Sequence, residues 1–496
     1  MKFLRLSPVI ADITQTAIVN GVVFITLILT TRIFAQGLGP DEFGVYSLAR
    51  RVISTVLTFT TLGLTIAIPR YLGFYSTSLE RQKTYIISEI VLILVPLAAF
   101  SLISMVFPTM ISTMLLGSKQ SKDLLYGFLT LLIGLTLHMT NYAIFRGRME
   151  MKYANALQIL NIALVPLIVA LFLAKSSNAS LVLTAIGLGI IAISSGPLLW
   201  HFIGSCKALR SKFKDATSDL LKYGVPRVPA NMGLALMFML GPWLAARLGE
   251  IREAGYFIVG QVVLSMLEEP LAAIGLVLLP RLAQFSGKRE RERLREYVSN
   301  LVGFSLHLGT FVSIQLFIYS DWIILLWLGE AYRPAIPIMR TVLASAGAYV
   351  LYVSLRSAID ADEVKAINTR NIWLAFVTSF ITALAFYALG LGSLAFAIGL
   401  AVGIGILGLL SLIFVLRRFA LNDQRYQLKL ALMLNLGMGL TAYGLKQLAP
   451  LSYVAIIYTI AAELIFVVIY GLVLKRAHVA WFESIAHRIN FRFKGV

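Results

Sequence analysis

Apolar runs, each about as long as a membrane-spanning helix, follow one another along the whole chain. A helix needs about 20 mostly apolar residues to cross the hydrocarbon core of a bilayer. The runs that meet this condition lie at residues 10–35, 43–69, 84–107, 122–145, 152–174, 180–204, 224–247, 254–280, 298–320, 336–359, 366–389, 394–416, 428–447 and 451–475. Segments of about ten residues with alternating hydrophobicity, which are typical of transmembrane β-barrels, are not evident. The pattern predicts an all-α polytopic membrane protein with fourteen transmembrane helices.

Two segments of the chain share a plan, which indicates an internal duplication of a unit of roughly 200 residues. Segment 38–70 opens with a Leu-Gly turn, continues as an apolar run and ends with Pro-Arg, and segment 248–281 does the same. Identical residues at corresponding positions are Gly44 and Gly255, Val52 and Val263, Pro69 and Pro280, Tyr142 and Tyr352, and Arg146 and Arg356.

Each copy of the unit contains six predicted helices. Six is an even number, so both copies enter the membrane in the same sense, and we expect two lobes related by an axis along the membrane normal. The predicted organisation is an N-terminal lobe at 1–205, a basic linker at 206–223, a C-terminal lobe at 224–418, and a region with two further helices and a basic tail at 419–496. A cleft between two such lobes is the usual place for a transported solute.

Composition and charge agree with a membrane location. Hydrophobic residues make up 58% of the chain and charged residues 14%, whereas soluble proteins have about 25% charged residues. The net charge of +19 comes mostly from one set of alternate loops, such as 207–227 and 281–295. This asymmetry predicts a protein of the cell membrane whose two termini both lie in the cytoplasm. It also explains the positive charge without a nucleic-acid partner. Cys206 is the only cysteine, which excludes an intrachain disulfide and a cysteine metal cluster.

Two adjacent arginines, Arg50 and Arg51, lie inside the second apolar run. Neighbouring residues on a helix point about 100° apart, so at most one of them can face straight into a cleft. One interpretation is that both reach the outer headgroups by snorkelling. The other is that at least one binds an anionic group in the cleft. Arg32 and Arg247, near the outer ends of their helices, are further candidate cations.

Carboxylates at membrane depth are candidates for coupling or gating. Glu268 and Glu269 lie near the middle of the eighth helix, and Asp12 lies in the first. Glu268 and Glu269 could form a proton or cation site or a latch between the lobes, or a structural pair with Arg50, Arg51 or Arg247. His138 and Glu463 are expected to serve packing. Neutral side chains that could hydrogen-bond a sugar are Asn20, Asn141, Asn231 and Gln261.

The segment LGPDEFGVYSLARRV, followed by an apolar run to PRYLG, resembles the N-terminal signature of polysaccharide biosynthesis proteins. These are the Wzx-type oligosaccharide flippases of the multidrug/oligosaccharidyl-lipid/polysaccharide exporter superfamily. The segment FRGRMEMKYANALQILNI at 145–162 also resembles the loop before the fifth helix in that family. The resemblance implies an inner-membrane transporter with two six-helix bundles, a fold similar to that of the MATE transporters, and a cationic cleft. It implies as cargo an oligosaccharide on a polyprenyl phosphate or diphosphate, moved to the outer leaflet of the inner membrane.

Three alternatives remain open. Fourteen helices resemble the lipid II flippase branch, in which arginines of helices 1, 2 and 8 surround the headgroup, but helix 8 carries Gln261 and glutamates here. A cation-coupled drug exporter of the same fold would use Glu268 and Glu269. A scaffold for a glycan-synthesis complex would leave the deep charges unexplained. Phosphate-loop, HExxH and GxSxG motifs are missing, so we expect no cofactor and no enzymatic activity. We expect the protein to be a monomer. Its expected partners are glycosyltransferases or a polymerase of the same pathway.

Overall fold

A computed structural model describes residues 8–116, 122–176, 178–206, 212–287, 290–362, 367–421, 424–448, 453–477, 479 and 482–483. Within these ranges, side chains are described except at 8–14, 17, 116, 122, 269–270, 272–287, 361–362, 425, 448 and 453–455. The described residues form helices joined by short connections, with no strand among them. They group into two compact units, Met1–Ile258 and Val259–Val496.

The first unit contains ten α-helices and the beginning of an eleventh. Their bounds are α1 Pro8–Thr60, α2 Leu64–Phe74, α3 Leu79–Val106, α4 Pro108–Leu116, α5 Lys122–Gly147, α6 Met151–Gln158, α7 Val165–Leu173, α8 Ala179–Ser205, α9 Phe213–Gly224, α10 Val228–Leu248 and α11 Ile251–Gly287. A π-helical segment at Ile159–Leu164 joins α6 to α7. The last helix continues into the second unit.

A kink divides α1 into two helical halves. Gly39 has φ 75° and ψ 168°, a conformation that is open to glycine and costly for other residues. Pro40 follows it, and proline is well suited to the first turn of a helix because its missing N–H would have no helical partner there. The second half of α1 therefore begins at Pro40 and carries both candidate arginines.

Small residues let the helices of the first unit approach closely. A Cβ atom added to Gly134 would lie 2.8 Å from the carbonyl oxygen of Gly187, so α5 and α8 are in backbone contact. A Cβ atom on Gly63, between α1 and α2, would lie 2.5 Å from the carbonyl oxygen of Gly224 at the end of α9. Close backbone packing of this kind stabilises helix pairs in a bilayer, where lipid is as apolar as the side chains.

The second unit begins within α11 and contains seven more α-helices. Their bounds are α12 Arg291–Trp327, α13 Ile336–Ala344, α14 Ala346–Asp362, α15 Ile367–Ala388, α16 Ser393–Arg418, α17 Gln424–Leu448 and α18 Tyr453–Arg476. Glycines again mark the close contacts, because a Cβ atom on Gly347 of α14 would lie 2.7 Å from the carbonyl oxygen of Gly309 on α12.

Residues 336–359, predicted as one helix, form two helices that are bent by 42° around Ser345. Ser313 on α12 explains how the break is accommodated. Its Oγ donates a hydrogen bond to the Ala344 carbonyl at 3.2 Å and accepts one from the Gly347 N–H at 2.7 Å. Backbone groups that leave the helical ladder must find other partners in a membrane, and Ser313 serves two of them.

Among the described residues, eleven helices are long and apolar enough to cross a membrane, or up to twelve if the bent pair is one span. This confirms a multi-pass helical membrane protein. The number fourteen and the paired six-helix lobes stay predictions. The predicted domain boundaries also stay predictions, although the unit that ends at Ile258 includes α10, which the sequence assigned to the second lobe.

Candidate functional site

The two adjacent arginines of α1 have different surroundings. Arg50 is exposed, and its Nη1 donates a hydrogen bond to the hydroxyl of Tyr46 at 3.1 Å, one turn earlier on the same helix. Its guanidinium carbon lies 5.7 Å from the centre of the Tyr46 ring. Tyr46 is itself buried, against Phe34 and Phe43. A buried tyrosine therefore holds the base of this arginine while its charged end stays open.

Arg51 is half-buried and contacts a different helix. Its guanidinium carbon lies 5.7 Å from the centre of the Phe238 ring on α10. Asn231 is exposed on the same helix, two turns before Phe238, so both lie on one face of α10. Among the predicted site residues of the first unit, Arg50, Arg51 and Asn231 thus lie on two helices that pack against each other, and the contact between Arg51 and Phe238 joins these helices.

Arg247 is fastened to the end of another helix. Its Nη2 donates hydrogen bonds to the carbonyl oxygens of Thr113 and Met114, at 2.5 and 2.8 Å, in the last turn of α4. The guanidinium also stacks on Trp243, with its carbon 4.1 Å from the ring centre. A cation that binds the free carbonyls at a helix C-terminus stabilises that end. This geometry gives Arg247 a structural contact in addition to its proposed role.

The other predicted residues of the first half of α1 lie at separate depths. Asn20 is half-buried, and Arg32 is exposed three turns further along the helix. The Asp12 side chain lies outside the described residues, so its predicted role in coupling stays a prediction.

Asn141 takes part in a buried polar network inside the first unit. Its amide nitrogen donates to the carbonyl oxygens of Leu137 and Ser194, both at 2.9 Å. Asn161, in the π-helical segment, donates to Ser194 Oγ at 2.8 Å and contacts His138 Nδ1 at 3.2 Å. The other ring nitrogen of His138 contacts Gln158 Oε1 at 3.2 Å. The expectation that His138 serves packing is confirmed by these contacts. The π-helical segment could not be predicted from the sequence, because the apolar pattern continues through it.

In the second unit, Glu268 belongs to a cluster with two residues of α14. Tyr349 donates a hydrogen bond to Glu268 Oε2 at 2.6 Å, and Arg356 Nη1 lies 3.7 Å from Oε1. The sequence proposed Arg50, Arg51 or Arg247 as structural partners of this carboxylate. Neither Arg356 nor Tyr349 was proposed as a partner of Glu268, because contacts between helices far apart in sequence leave no local pattern.

Gln261 is buried in the second unit. Glu463, expected to be structural, accepts hydrogen bonds from Gln315 and Tyr319 on α12, at 3.1 and 3.2 Å, which agrees with a role in docking α18. The Glu269 side chain lies outside the described residues. Groups of three or more metal-ligating side chains do not occur in the described part of the chain.

The chemistry available around Arg50 is electrostatic. An arginine in an apolar helix is costly unless an anion or a polar cavity receives its charge. Its planar guanidinium can form two parallel hydrogen bonds to a phosphate or carboxylate. The described residues of this face therefore suit the recognition of an anionic group.

Comparisons with solved structures agree on the fold. The chain is similar to the lipid II flippase MurJ in an inward closed conformation, with a TM-score of 0.72, 14% identity, and coverage of 93% of this chain and 99% of that one. It is also similar to an inward-facing multidrug resistance MATE family transporter of the MOP superfamily, with a TM-score of 0.66, 14% identity, and coverage of 80% and 94%. The Vibrio cholerae MATE transporter VcmN aligns with a TM-score of 0.56, 17% identity, and coverage of 83% and 97%.

Sequence comparisons identify the family. No curated protein matches the chain. The family described as MatE matches residues 226–383. The family described as polysaccharide biosynthesis protein matches residues 9–286, which is more than half of the chain and includes both arginines of α1. The protein is therefore a member of the polysaccharide biosynthesis protein family, with the transporter fold of the multidrug/oligosaccharidyl-lipid/polysaccharide exporter superfamily.

Proposed function

We propose that this protein is a flippase for an oligosaccharide linked to a polyprenyl phosphate or diphosphate. It moves this lipid from the cytoplasmic to the outer leaflet by alternating access, for the assembly of a surface polysaccharide or glycan. Glycosyltransferases or a polymerase of the same pathway supply or consume the cargo. The protein acts as a monomer, without a cofactor and without chemical change of its substrate.

The open guanidinium of Arg50 is the observation that carries this proposal. Arg50 lies ten residues, about 15 Å, along the helix that begins at Pro40. This distance is about half the thickness of the hydrocarbon core. A phosphate at such depth needs a cation, because an isolated charge in a medium of low dielectric constant is strongly disfavoured. Exposure at Arg50 and its support by Tyr46 suit this task.

Neutral groups of the predicted set would bind the sugar. Asn20 and Asn231 present amides on α1 and α10, and Gln261, Asn141, Arg32 and Arg247 complete the proposed set. Glu268, Glu269 and Asp12 are assigned to coupling or gating. For Glu268, the contact with Arg356 inside the second unit supports a site at which a proton or cation competes with the arginine for the carboxylate.

We further propose fourteen membrane crossings with both termini in the cytoplasm. The kink at Gly39 supports a separate crossing for each half of α1. The bent pair α13 and α14 forms one crossing, and α11, which is 37 residues long, forms another. The basic loops then lie on the cytoplasmic side.

The experiment measures sugar-lipid in the outer leaflet of a strain that lacks its own flippase and expresses variants of the protein. Arg50→Ala should abolish transport, Arg50→Lys should restore part of it, and expression should stay normal. Arg333→Ala is the matched control, because Arg333 is exposed and forms an ion pair with Glu330 three residues away. Wild-type transport by Arg50→Ala, in protein that is folded and inserted, would refute the proposed role.

A cation-coupled multidrug exporter is the second candidate, and the MatE match at residues 226–383 supports it. This function predicts drug resistance on expression and its loss in Glu268→Gln. A lipid II flippase is the third, supported by the structural similarity to MurJ. It predicts that expression rescues growth of cells that lack their lipid II flippase. Rescue of surface polysaccharide alone favours the first proposal.

A further inference from the structure

A cavity of about 750 Å³ lies inside the first unit, apart from the arginines of α1. It is enclosed by the turn before α3, the connection from α5 to α6, and the last turns of α8. These connections lie at the basic end of the helices, so the cavity opens near the leaflet that faces the basic loops. Its charged and polar lining includes Lys83, Arg148, Glu150 and His201.

Several polar atoms of the residues that line this cavity are buried without a hydrogen-bond partner among the described residues. His201 is only 2% exposed, and neither of its ring nitrogens is bonded. Arg148 Nε and Glu150 Oε2 are in the same condition. Buried polar groups are normally satisfied, and leaving one without a partner is costly. Unpaired groups of both signs around one cavity indicate a ligand that has both acceptors and donors.

The rim of the cavity is apolar and exposed. Leu79, Met149 and Trp200 line it and are 62%, 64% and 61% exposed. The guanidinium carbon of Arg148 lies 5.9 Å from the centre of the Trp200 ring, so charge and aromatic surface meet at the entrance. Tryptophan is enriched at the level of lipid headgroups. A polar interior with an apolar rim suits a lipid whose headgroup enters and whose chains stay outside.

We propose that this cavity binds the headgroup of a zwitterionic phospholipid, with phosphoethanolamine as the recognised chemistry. Lys83 and Arg148 bind the phosphate, and the Glu150 carboxylate accepts hydrogen bonds from the ammonium group. His201 hydrogen-bonds the headgroup from the buried side. A purely anionic headgroup would leave Glu150 facing like charge, which is unfavourable. This lipid is a resident of the protein and separate from the cargo proposed for Arg50, because α1 does not line the cavity.

Two glycines of α8 provide a matched pair of variants. A Cβ atom on Gly204, which lines the cavity, or on Gly196, which does not, would meet no atom within 4 Å. Gly204→Leu therefore has room for its first side-chain atom and adds volume at the site, and Gly196→Leu is the control for the same change on the same helix. Arg148→Ala and Glu150→Gln test the two ends of the headgroup separately.

The experiment titrates the purified full chain, in detergent, with phosphatidylethanolamine, phosphatidylglycerol or phosphatidylcholine and counts bound lipid by native mass spectrometry. Wild type and Gly196→Leu should retain phosphatidylethanolamine in preference to the other two. Gly204→Leu and Arg148→Ala should weaken this binding by about tenfold or more. Glu150→Gln should lose the preference over phosphatidylglycerol.

Equal retention of phosphatidylethanolamine by Gly204→Leu and Gly196→Leu would overturn the proposal. If Gly204→Leu does not fold, lipid binding by Arg148→Ala and Glu150→Gln tests the proposal in its place. Inorganic phosphate and O-phosphoethanolamine, added at the concentration of the lipid, should not displace it. Displacement by either would overturn the lipid as occupant and assign the site to a soluble phosphate. None of these measurements depends on transport, so the result is independent of the role of Arg50.

Discussion

The guanidinium of Arg51 lies against the ring of Phe238, with its central carbon 5.7 Å from the ring centre. This contact joins the second half of α1 to α10. Its neighbour Arg50 instead contacts Tyr46, one turn earlier on the same helix. The two arginines are adjacent in sequence, but one serves helix packing and the other presents an open charge. They should therefore respond differently to substitution.

The first prediction concerns the coupling between Arg51 and Phe238. An arginine over an aromatic ring contributes about 0.5–1 kcal/mol at exposed sites and about 2 when desolvated. Arg51→Ala and Phe238→Leu should each lower the melting temperature in detergent, and the double variant should lower it by less than the sum of the two. The interaction energy from this double-mutant cycle should be about 1 kcal/mol.

Arg50→Ala is the comparison for that cycle. It should leave the melting temperature unchanged and show no coupling to Phe238→Leu, although transport is lost. Additive effects of Arg51→Ala and Phe238→Leu would show that the contact contributes nothing to packing.

The second prediction concerns Ser313, whose hydroxyl forms hydrogen bonds with backbone groups at the break between α13 and α14. Ser313→Ala leaves the Ala344 carbonyl and the Gly347 N–H without this partner, at a cost of about 1–2 kcal/mol. The melting temperature should fall, and Ser313→Thr should restore most of the loss. Thr378→Ala is the control, because the Thr378 hydroxyl only bonds the exposed Leu374 carbonyl in its own helix. An equal, small effect of Ser313→Ala and Thr378→Ala would contradict this account.

The break at Ser345 also shows where sequence analysis reaches its limit. The predicted runs 180–204 and 394–416 lie within α8 and α16, because the length of an apolar run follows directly from the bilayer thickness. An apolar run continues unchanged through a bend, so the same criterion could not find the break around Ser345 or the π-helical segment at Ile159–Leu164.

In the candidate site, too, some residues could be predicted from the sequence and others could not. Arg50 and Arg51 stood out in the sequence because charge is rare in an apolar run. Their partners did not, since Phe238 is one of many apolar residues of its helix. The contact of Glu268 with Tyr349 was hidden for the same reason. A charged residue in an apolar run can be found from the sequence because it is rare there. Its contact partner cannot, because tertiary packing decides which residue lies next to it.

The third prediction concerns Glu89 on α3, which sequence analysis passed over. Its side chain is fully buried, and neither carboxyl oxygen has a hydrogen-bond partner among the described residues. A buried polar group without a partner costs about 1–3 kcal/mol. Glu89→Leu, which keeps a similar volume, should therefore raise the melting temperature.

Ser88→Ala is the control for Glu89. The Ser88 hydroxyl is equally buried but donates to the Thr84 carbonyl at 2.8 Å, so its removal should give no gain. A loss of transport in Glu89→Leu despite higher stability would show that the buried carboxyl is retained for function. A lower melting temperature for Glu89→Leu would contradict the stability argument.

The fourth prediction concerns Lys446, which fastens α17 to α12. Its Nζ donates hydrogen bonds to Asp321 Oδ1 at 2.5 Å and to the Ile318 carbonyl at 2.6 Å. The side chains of Lys446 and Asp321 are only 12% and 26% exposed. The other oxygen of Asp321 has Arg340 at 3.9 Å, which is a weaker contact. Lys446→Met leaves the carboxylate poorly paired, and because the pair is half-buried we expect a cost of about 1–3 kcal/mol, between that of an exposed and that of a fully buried pair.

The double variant Lys446→Met with Asp321→Asn separates loss of a contact from an uncompensated charge. If the charge is the main cost, the double variant should melt at a higher temperature than Lys446→Met alone, because replacing both partners of a buried pair is often nearly neutral. Arg333→Ala, in an exposed ion pair, should not change the melting temperature. A double variant as unstable as Lys446→Met would mean that the lost bond to the Ile318 carbonyl, rather than the stranded carboxylate, holds α17 against α12.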